Sequence, residues 1–443
     1  MQTSTRLLVA LSLIGVSVPS LFAHSYGPAP RVTAAPGDNP AACTQCHTGT
    51  SLNSGGGSVS IQLLSGPVYI PGVKQRITVV VSDPAQVRWG FEMTARTDSD
   101  AQNGQAGQFT PVDGLTQVIC EDGSLAPCLT GVSFIQHTSV GTRNGQKNGA
   151  AFQFDWTPPS ADAGPVTLYA AGNAANGNSA PTGDHIYTTN VQLTPVTPQP
   201  PTIAPNGVSS SITLAAGPVA PNSWITIFGS NLSATTRDWQ ASDFVNGTFP
   251  LSLDGVSVEL TANGAPRRAY IGYVSPTQVN VLLPSDTTAT TVQVQLKNPA
   301  GITPQTPITV QAAAPQLFTV SGNFVFATHA DGTLVGKAGL TSSPSSPAVP
   351  GETITIYATG CGPTTPGLIN GLIPTQANPL GTLPSVTVGG VPATVTAGAV
   401  ANASGGVYLI SVQIPTNAPS GDQQVIAQVG TTGSAPVLVT VGH

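Results

Sequence analysis

Short runs in which apolar and polar residues alternate recur along this chain, and turn residues separate them. In the run AAFQFDWTP, Phe152, Phe154 and Trp156 alternate with Gln153 and Asp155. Because successive side chains of a β-strand point to opposite faces, this alternation puts the three aromatic rings on one face. Similar runs are QRITVVVSD, VSFIQHTSV and PVTLYAAGN. Many short strands joined by turns predict an all-β protein built from β-sandwiches.

The composition favours strands over helices. Only 7% of the 443 residues are charged, whereas a typical domain has about 25%. Glycine and proline contribute 49 and 41 residues, which suits many turns. The formal net charge is −6 and the sequence has no basic run, which argues against a nucleic-acid partner.

The first 23 residues have the pattern of an export signal. Arg6 precedes an apolar run at residues 7–16, and the small residues Ser20 and Ala23 frame a cleavage site. The run is short for a bilayer-spanning helix, although an uncleaved anchor is the alternative. We therefore expect cleavage before His24, no transmembrane segment afterwards, and a secreted, periplasmic or cell-surface location.

Proline marks the first domain boundary. TPVTPQPPTIAPNG has five prolines between Pro195 and Pro205, which predicts a stiff linker at residues 198–207. Beyond it, VAPNSWITIFGSNLS is similar to AVPGETITIYATGCG, and YVSPTQVNVLLPSD to VYLISVQIPTNAPSGD. This internal repeat predicts two immunoglobulin-like modules. The three expected β-sandwich domains are residues 24–197, 208–312 and 313–443.

The motif CTQCH is the feature that most strongly indicates chemistry. Only five cysteines occur in the chain, and two of them, Cys43 and Cys46, stand in C-x-x-C-H order with His47. This is the attachment signature of c-type haem, in which both thiols add to haem vinyl groups and the histidine ligates the iron. Attachment follows export, in agreement with the predicted signal. One covalent haem c is therefore expected.

Other interpretations of the motif stay open. Cys43 and Cys46 could form a plain disulfide. A thioredoxin-like redox pair would need a helix N-terminus in a βαβ unit, which the Gly/Ser-rich surroundings do not favour. A zinc site would need a fourth ligand, and the three motif residues are crowded for tetrahedral geometry.

A sixth iron ligand, if one exists, has four candidates. His137 shares strand parity with Ile135, so it could point inward. Met93 could ligate iron through its sulfur, which raises the reduction potential. The other two candidates are His185 and His24, the latter at the expected mature N-terminus. An open sixth position is a further alternative, because strand parity does not decide among them.

The remaining cysteines suit an oxidising compartment. Cys120 and Cys128 flank a loop containing Asp, Gly and Pro, and we predict that they form a disulfide. Cys361 is left over as a buried or loop thiol. His329 stands alone in its segment, and we expect it to be a loop or core histidine, since a metal site needs several ligands.

Several stretches of the first domain are similar to a known family. They resemble the bacterial reelin-type (reeler) domain, called choice-of-anchor V when a sorting tail follows, over residues 24–195. The stretches are GPAPRVTAAPGDNPAACTQCHTG, GFEMTARTD, FIQHTS, FDWTPP and YAAGNAANGNSAPTGDHIYT. The resemblance implies an immunoglobulin-like β-sandwich with a C-x-x-C-H motif, matched by Cys43, Cys46 and His47. It also implies a histidine before threonine in a middle strand, matched by His137, and so favours that residue as distal ligand.

The rest of the chain carries a second resemblance. Residues 205–441, with stretches such as PGETITIYATGCGPTTPG, are similar to an acidobacterial exported-protein C-terminal region without assigned activity. Its first half is similar to an IPT/TIG-type immunoglobulin module.

Together these observations predict a non-enzymatic exported monohaem protein that acts in electron transfer or haem-dependent sensing. The alternative is an extracellular adhesion or structural protein with a Cys43–Cys46 disulfide, because the fold alone does not decide function. A copper monooxygenase based on His24 would need a second histidine nearby. No G-x-S-x-G or H-E-x-x-H motif supports a hydrolase. The redox partner or surface ligand is not specified by the sequence.

Overall fold

The computed structural model describes residues 25–288 and 290–442. The predicted signal peptide and His24 lie outside these residues. Within them, the regular structure is almost entirely β-strand, so the predicted all-β class is confirmed. The short 3-10 turns are Ala42–Gln45, Asp98–Asp100, Val140–Thr142 and Ala241–Asp243. Of the helices that the structure describes, none has the length and apolarity needed to span a bilayer.

The chain divides into two compact units. The predicted signal aside, the first comprises residues 25–62, 77–155 and 165–192, and the second comprises residues 63–76, 156–164 and 193–442. Both immunoglobulin-like modules predicted after residue 207 fall within the second unit.

From residue 25 onwards, ten strands precede the proline-rich segment. They are β1 (Ser58–Leu63), β2 (Val68–Tyr69), β3 (Gln75–Ser82), β4 (Arg88–Thr97), β5 (Gln108–Pro111), β6 (Thr116–Cys120), β7 (Ser133–His137), β8 (Ala150–Thr157), β9 (Val166–Ala175) and β10 (His185–Pro195).

The first unit is a sandwich of two sheets. One sheet has the strand order β1-β3-β8-β5, and the larger one joins β10, β9, β4, β7 and β6 in that order. Phe91 of the larger sheet packs on Phe152 of the smaller, with ring centroids 4.5 Å apart. Phe152 and Phe154 of this unit are fully buried, as their alternation predicts, and so is Trp156, which belongs to the second unit. The aromatic core thus lies between the two sheets. The outer face of the larger sheet takes no part in this core.

The N-terminal segment covers part of that outer face. Phe91 points into the core, so its neighbours Gly90 and Glu92 belong to the outer side. The β4–β9 ladder pairs Gly90 with Asn173 and Glu92 with Ala171. Ala171 packs against Ala42 and Ile186, which places the Ala42–Gln45 turn on the outer face.

Strands β11 to β20 form the first module of the second unit. Its sheets have the orders β11-β12-β17-β16-β13 and β15-β14-β18-β19, with β20 also paired to β18. The strands are β11 (Thr202–Ser210), β12 (Trp224–Ser230), β13 (Arg237–Asp238), β14 (Ser257–Ala262), β15 (Ala265–Arg268), β16 (Tyr270–Val274), β17 (Gln278–Leu282), β18 (Thr291–Asn298), β19 (Gly301–Ile302) and β20 (Thr306–Thr309). The same unit contains β2, which pairs in parallel with Thr194 and Pro195.

The second module is one continuous ladder, in which the long strand β30 pairs with both β29 and β31. Its strands are β21 (Gln316–Leu317), β22 (Thr319–Val320), β23 (Phe324–Val325), β24 (Ala327–Thr328), β25 (Leu334–Val335), β26 (Ser345–Ser346), β27 (Thr353–Thr359), β28 (Asn378–Pro379), β29 (Ser385–Val388), β30 (Val391–Val400), β31 (Tyr408–Gln413), β32 (Gly421–Val429), β33 (Thr432–Gly433) and β34 (Val437–Val441).

The repeated sequences occupy equivalent places in the two modules. The first repeated run forms β12 in one module and β27 in the other. The second forms β17 and β31. In each module the two strands pair antiparallel, as β12 with β17 and β27 with β31.

The linker predicted at residues 198–207 is wrong in its second half, because β11 begins at Thr202. The β11–β12 ladder includes Ile203 opposite Gly229 and then resumes only at Val208 opposite Ile227. Pro205 lies within this irregularity. A proline cannot donate a ladder hydrogen bond, and a bulge is a position where that loss is tolerated.

Candidate functional site

The C-x-x-C-H motif forms a tight turn on the outer face of the larger sheet of the first unit. The backbone N–H groups of Cys46 and His47 both donate to the carbonyl oxygen of Cys43, at 3.2 and 3.0 Å. Ala42, at the start of the turn, is fully buried. The turn therefore attaches both cysteines and the histidine to one surface of the sandwich.

A buried carboxylate holds the His47 ring. Its Nδ1 lies 2.5 Å from Oδ2 of Asp184, a residue that is only 2% exposed. The other carboxylate oxygen of Asp184 accepts the backbone N–H of Asn176 at 3.1 Å. Because Nδ1 is occupied by this contact, Nε2 is the ring nitrogen through which His47 could bind a metal.

Asn173 of β9 also contacts the imidazole. Its Nδ2 lies 3.2 Å from Nε2 of His47 and 3.3 Å from Nδ1. The side-chain carbonyl oxygen Oδ1 of Asn173 is buried and has no hydrogen-bond partner among the described residues. A buried oxygen without a hydrogen-bond partner costs about 1–3 kcal/mol of stability. A bound group that donates a hydrogen bond to Oδ1 of Asn173 would remove this cost.

His137 is the last residue of β7, and its ring lies beside the backbone of β4. The N–H of Phe91 donates to Nδ1 of His137 at 3.0 Å, and the Phe91 carbonyl oxygen lies 3.1 Å from the same nitrogen. The β4–β7 ladder ends at the pair Glu92 and Gln136, and the His137 ring lies against the next residue of β4, which is Phe91. An ideal Cβ added to Gly90 would lie only 2.7 Å from Cε1 of His137, so this glycine makes room for the ring.

His47 and His137 approach the same place on the sheet. His47 contacts Asn173, and His137 lies against Gly90. Gly90 and Asn173 are directly opposite each other in the β4–β9 ladder. Opposite residues on one face have Cβ positions about 5 Å apart, so the two imidazoles flank one region of the surface.

One cavity of the first unit joins these residues. Its empty volume is about 960 Å³, a figure that includes open solvent, and its lining includes Cys43, Cys46, His47 and His137. Arg88 also lines it, and this side chain has no hydrogen bond or ion pair with another residue in the described part of the chain. The motif and a histidine far away in sequence therefore share one concave surface.

The other sequence candidates lie elsewhere. Met93 is fully buried and is not part of the cavity lining. His185 is not part of it either: its Nδ1 lies 2.6 Å from Oδ2 of Asp83. His24 lies outside the described residues. Among the three candidate distal ligands that lie within the described residues, His137 is the one that lines the same cavity as the motif.

The cysteines fall into two classes. Cys120 and Cys128 are disulfide-bonded, as predicted, whereas Cys43 and Cys46 are free thiols. Burial raises the pKa of the Cys43 thiol to about 12, and the nearby Glu92 adds to the rise. A thiol with such a pKa is protonated at neutral pH, unlike the activated thiolate of a thioredoxin-like pair.

A buried charge cluster lies on the same side of the larger sheet. The Arg96 guanidinium pairs with Asp38 at 3.0 Å, and both side chains are fully buried. Arg31 contacts the same carboxylate at 3.2 Å. Glu92 is also fully buried and accepts the backbone N–H of Val32 at 2.8 Å. Burial raises the pKa of Glu92 well above its ordinary value, an effect only partly opposed by the Val32 N–H.

Two further residues that the sequence singled out make structural contacts. Cys361 is a buried free thiol, and burial raises its pKa to about 12. His329 Nδ1 lies 3.2 Å from Oε1 of Glu352, while Nε2 lies 3.1 Å from the Ser346 carbonyl oxygen. Within the described residues, no group of three or more His, Cys, Asp and Glu side chains is arranged to hold a metal ion.

Sequence reasoning missed three residues of the site, namely Gly90, Asn173 and Asp184. Gly90 and Asn173 have no local signal, because their importance comes from strand pairing. Asp184 directly precedes His185 in the GDHIYT stretch that contributes to the family resemblance. Its place in that stretch was the one sequence signal that could have identified Asp184.

Comparisons with known proteins do not assign this site. No family model and no curated protein matches the chain. A cohesin module from a Clostridium perfringens family 33 glycoside hydrolase is 13% identical, covering 32% of this chain and 99% of that one, with a TM-score of 0.22. A DUF4466 family protein from Parabacteroides merdae is 11% identical, with coverages of 51% and 97% and a TM-score of 0.19. The pilin subunit BcpA of Bacillus cereus is 9% identical, with coverages of 57% and 67% and a TM-score of 0.20. Likenesses this weak carry no functional argument, and the resemblance to the reeler domain stays a prediction.

Proposed function

We propose that this protein is an exported monohaem c-type protein that acts in electron transfer or haem-dependent sensing outside the cytoplasmic membrane. Cys43 and Cys46 would hold the haem through thioether bonds, with His47 as the proximal and His137 as the distal iron ligand. The observation that carries the proposal is the shared cavity, which brings a C-x-x-C-H motif and a distant histidine together.

The donor set supports a haem rather than an ion held by protein alone. Within the described residues, the side chains do not supply three clustered metal ligands, whereas two imidazoles flank the cavity. Two axial imidazoles are sufficient when a porphyrin supplies the other four iron ligands. The bound haem would supply a one-electron couple at its iron. The contribution of the chain is to anchor the group, orient His47 and His137, and limit access of water.

The polar groups of the cavity also suit a haem. Haem carries two carboxylates, and an Arg guanidinium is a good partner for a carboxylate. Arg88 lines the cavity and has no hydrogen bond or ion pair with another described residue, which leaves its guanidinium available for such a group.

The remaining features extend the proposal to the whole chain. Export follows from the signal pattern in residues 1–23. The first domain would be a reeler-type sandwich that carries the haem. The two immunoglobulin-like modules would act as a spacer or docking region for a redox partner or a surface ligand.

The decisive experiment is a spectrum of the protein expressed with its signal peptide in a host that matures c-type haem. We expect a Soret band and a c-type pyridine haemochrome that persists on the denatured chain. The double variant Cys43→Ala/Cys46→Ala should lose both. The matched control Cys120→Ala/Cys128→Ala, which removes the structural disulfide, should keep the covalent haem.

The same experiment distinguishes the proposed haem protein from the alternative function. An absent Soret band, together with a Cys43–Cys46 disulfide in the mass spectrum, would overturn the haem proposal and favour an extracellular adhesion or structural protein. If haem is present, His137→Ala should change the iron coordination spectrum. His185→Ala is the control, since His185 does not line the cavity.

A further inference from the structure

We infer that Asp184 is a positioning residue that makes His47 a more electron-rich iron ligand and so lowers the reduction potential of the haem. This inference rests on the proposed function. It goes beyond it, because it states how the protein would tune the cofactor and through which residue.

The contact between the two residues is short and shielded from solvent. Oδ2 of Asp184 lies 2.5 Å from Nδ1 of His47, and Asp184 is 2% exposed. A hydrogen bond to a carboxylate is stronger than one between neutral groups, and the low local dielectric strengthens it further. A surface carboxylate at the same distance would be weakened by water and salt.

The carboxylate is itself fixed in place. Its Oδ1 accepts the backbone N–H of Asn176 at 3.1 Å, and the hydroxyl of Thr50 donates to the Asp184 carbonyl oxygen at 2.5 Å. Two backbone hydrogen bonds tie the flanking segments together: Thr48 N–H to Pro181 at 2.7 Å, and Gly183 N–H to the Thr48 carbonyl at 3.0 Å. The loop after the motif and the loop before β10 are thus joined on both sides of the contact, which holds the Asp184 backbone beside the ring, while the Asn176 N–H holds the carboxylate.

The chemical effect follows from the direction of the hydrogen bond. When Nδ1–H of His47 donates to a carboxylate, electron density shifts into the ring and Nε2 becomes a stronger donor. A stronger donor stabilises ferric over ferrous iron, and the negative charge of the carboxylate acts in the same direction. Both effects lower the potential, and axial-ligand basicity and outer hydrogen bonds are among the means by which proteins set haem potentials.

The chain contains a matched pair for the control. Asp83 is fully buried, and its Oδ2 lies 2.6 Å from Nδ1 of His185 and accepts the hydroxyl of Tyr187 at 2.6 Å. None of these three residues lines the cavity. Asp83→Asn therefore removes a comparable buried carboxylate from the same unit without touching the proposed ligand.

The test is a spectroelectrochemical titration of the haem-loaded full chain. Relative to the parent protein, Asp184→Asn should change the ferric-to-ferrous equilibrium about tenfold towards the ferrous form, a rise of about 59 mV for a one-electron couple. Asp83→Asn should leave the potential unchanged. An unchanged or lowered potential in Asp184→Asn with an intact Soret band would overturn the inference while leaving the haem proposal standing. A parent protein without haem would instead defeat the proposed function.

A second measurement does not depend on haem loading or on the folding of the Asp184 variant. In the Cys43→Ala/Cys46→Ala chain, labelled with ¹⁵N, NMR of the His47 ring reports which nitrogen carries the proton. A proton on Nδ1 supports the inference, because that nitrogen must donate to Asp184. An unprotonated Nδ1 with the proton on Nε2 would refute it.

Discussion

Replacing Gly90 with alanine is expected to displace His137 and destabilise the first unit. The added Cβ would lie 2.7 Å from Cε1, 3.1 Å from Nδ1 and 3.2 Å from Nε2 of the imidazole. Carbon atoms in contact are normally separated by about 3.5–4.0 Å, so the ring must move. That movement breaks the hydrogen bond from the Phe91 N–H to Nδ1 of His137, which is 3.0 Å long.

The magnitude follows from three contributions. Overpacking of a filled site costs about 1–3 kcal/mol. Loss of the hydrogen bond from the Phe91 N–H costs about 1 kcal/mol. Replacing a glycine within a strand by alanine returns about 0.5–1 kcal/mol of backbone entropy. The net destabilisation is therefore about 2 kcal/mol, or ~4–8 °C in the melting transition of a unit of this size.

The assay is thermal and urea unfolding of Gly90→Ala, His137→Ala and the double variant. Because the added methyl group meets no ring once His137 is removed, only the entropy term remains, and Gly90→Ala should stabilise the His137→Ala background by about 0.5–1 kcal/mol. The expected coupling between the two substitutions is therefore about 3 kcal/mol. On the haem-loaded protein, Gly90→Ala should also shift the coordination spectrum towards that of His137→Ala. Equal losses of stability in both backgrounds would refute the steric argument.

Three further predictions concern stability. Cys120→Ala/Cys128→Ala should lower the free energy of unfolding by about 2.5 kcal/mol because the bridge closes a short loop; urea unfolding that shows no loss would contradict this. Arg96→Met leaves Asp38 buried without its closest cation and should cost about 3–5 kcal/mol in the same assay. Burial raises the pKa of Glu92, so the folded state keeps a proton that the unfolded chain releases near pH 4.3. The free energy of unfolding should therefore fall as the pH rises above that value, by at most ~1.4 kcal/mol per pH unit. Urea unfolding from pH 5 to 8 should show this slope, and Glu92→Gln should abolish it; a slope that survives the substitution would disprove the assignment.

The features that the sequence predicted are those encoded by neighbouring residues. The period-2 alternation at Phe152 and Phe154 predicted a buried strand face, because strand geometry fixes side-chain direction locally. The disulfide between Cys120 and Cys128 follows from eight residues of separation around a turn. The C-x-x-C-H motif is a local signature in the same sense, and its three side chains do line one cavity.

The features that escaped prediction depend on pairing between distant strands. The place of the His137 ring is set by where β7 ends beside Phe91, which strand parity with Ile135 does not specify. The role of Gly90 and Asn173 appears only when β4 and β9 are aligned. The start of β11 was missed for a related reason. A proline within a run predicts that the run is not a strand, unless the proline lies at a bulge. The bulge at Pro205 depends on how β11 pairs with β12, which the local sequence does not specify.

The position of the candidate site also explains how a sandwich of this size could hold a large cofactor. Aromatic side chains such as Phe91 and Phe152 pack against each other between the sheets. The N-terminal segment instead carries Cys43, Cys46 and His47 onto the outer face, beside the place where Gly90 makes room for the His137 ring. Since Cys43 and Cys46 line the cavity and take no part in the contact between Phe91 and Phe152, the cysteine double variant should fold with near-parental stability while losing the proposed haem. Unfolding of that variant would show instead that the cavity and the core form one cooperative structure.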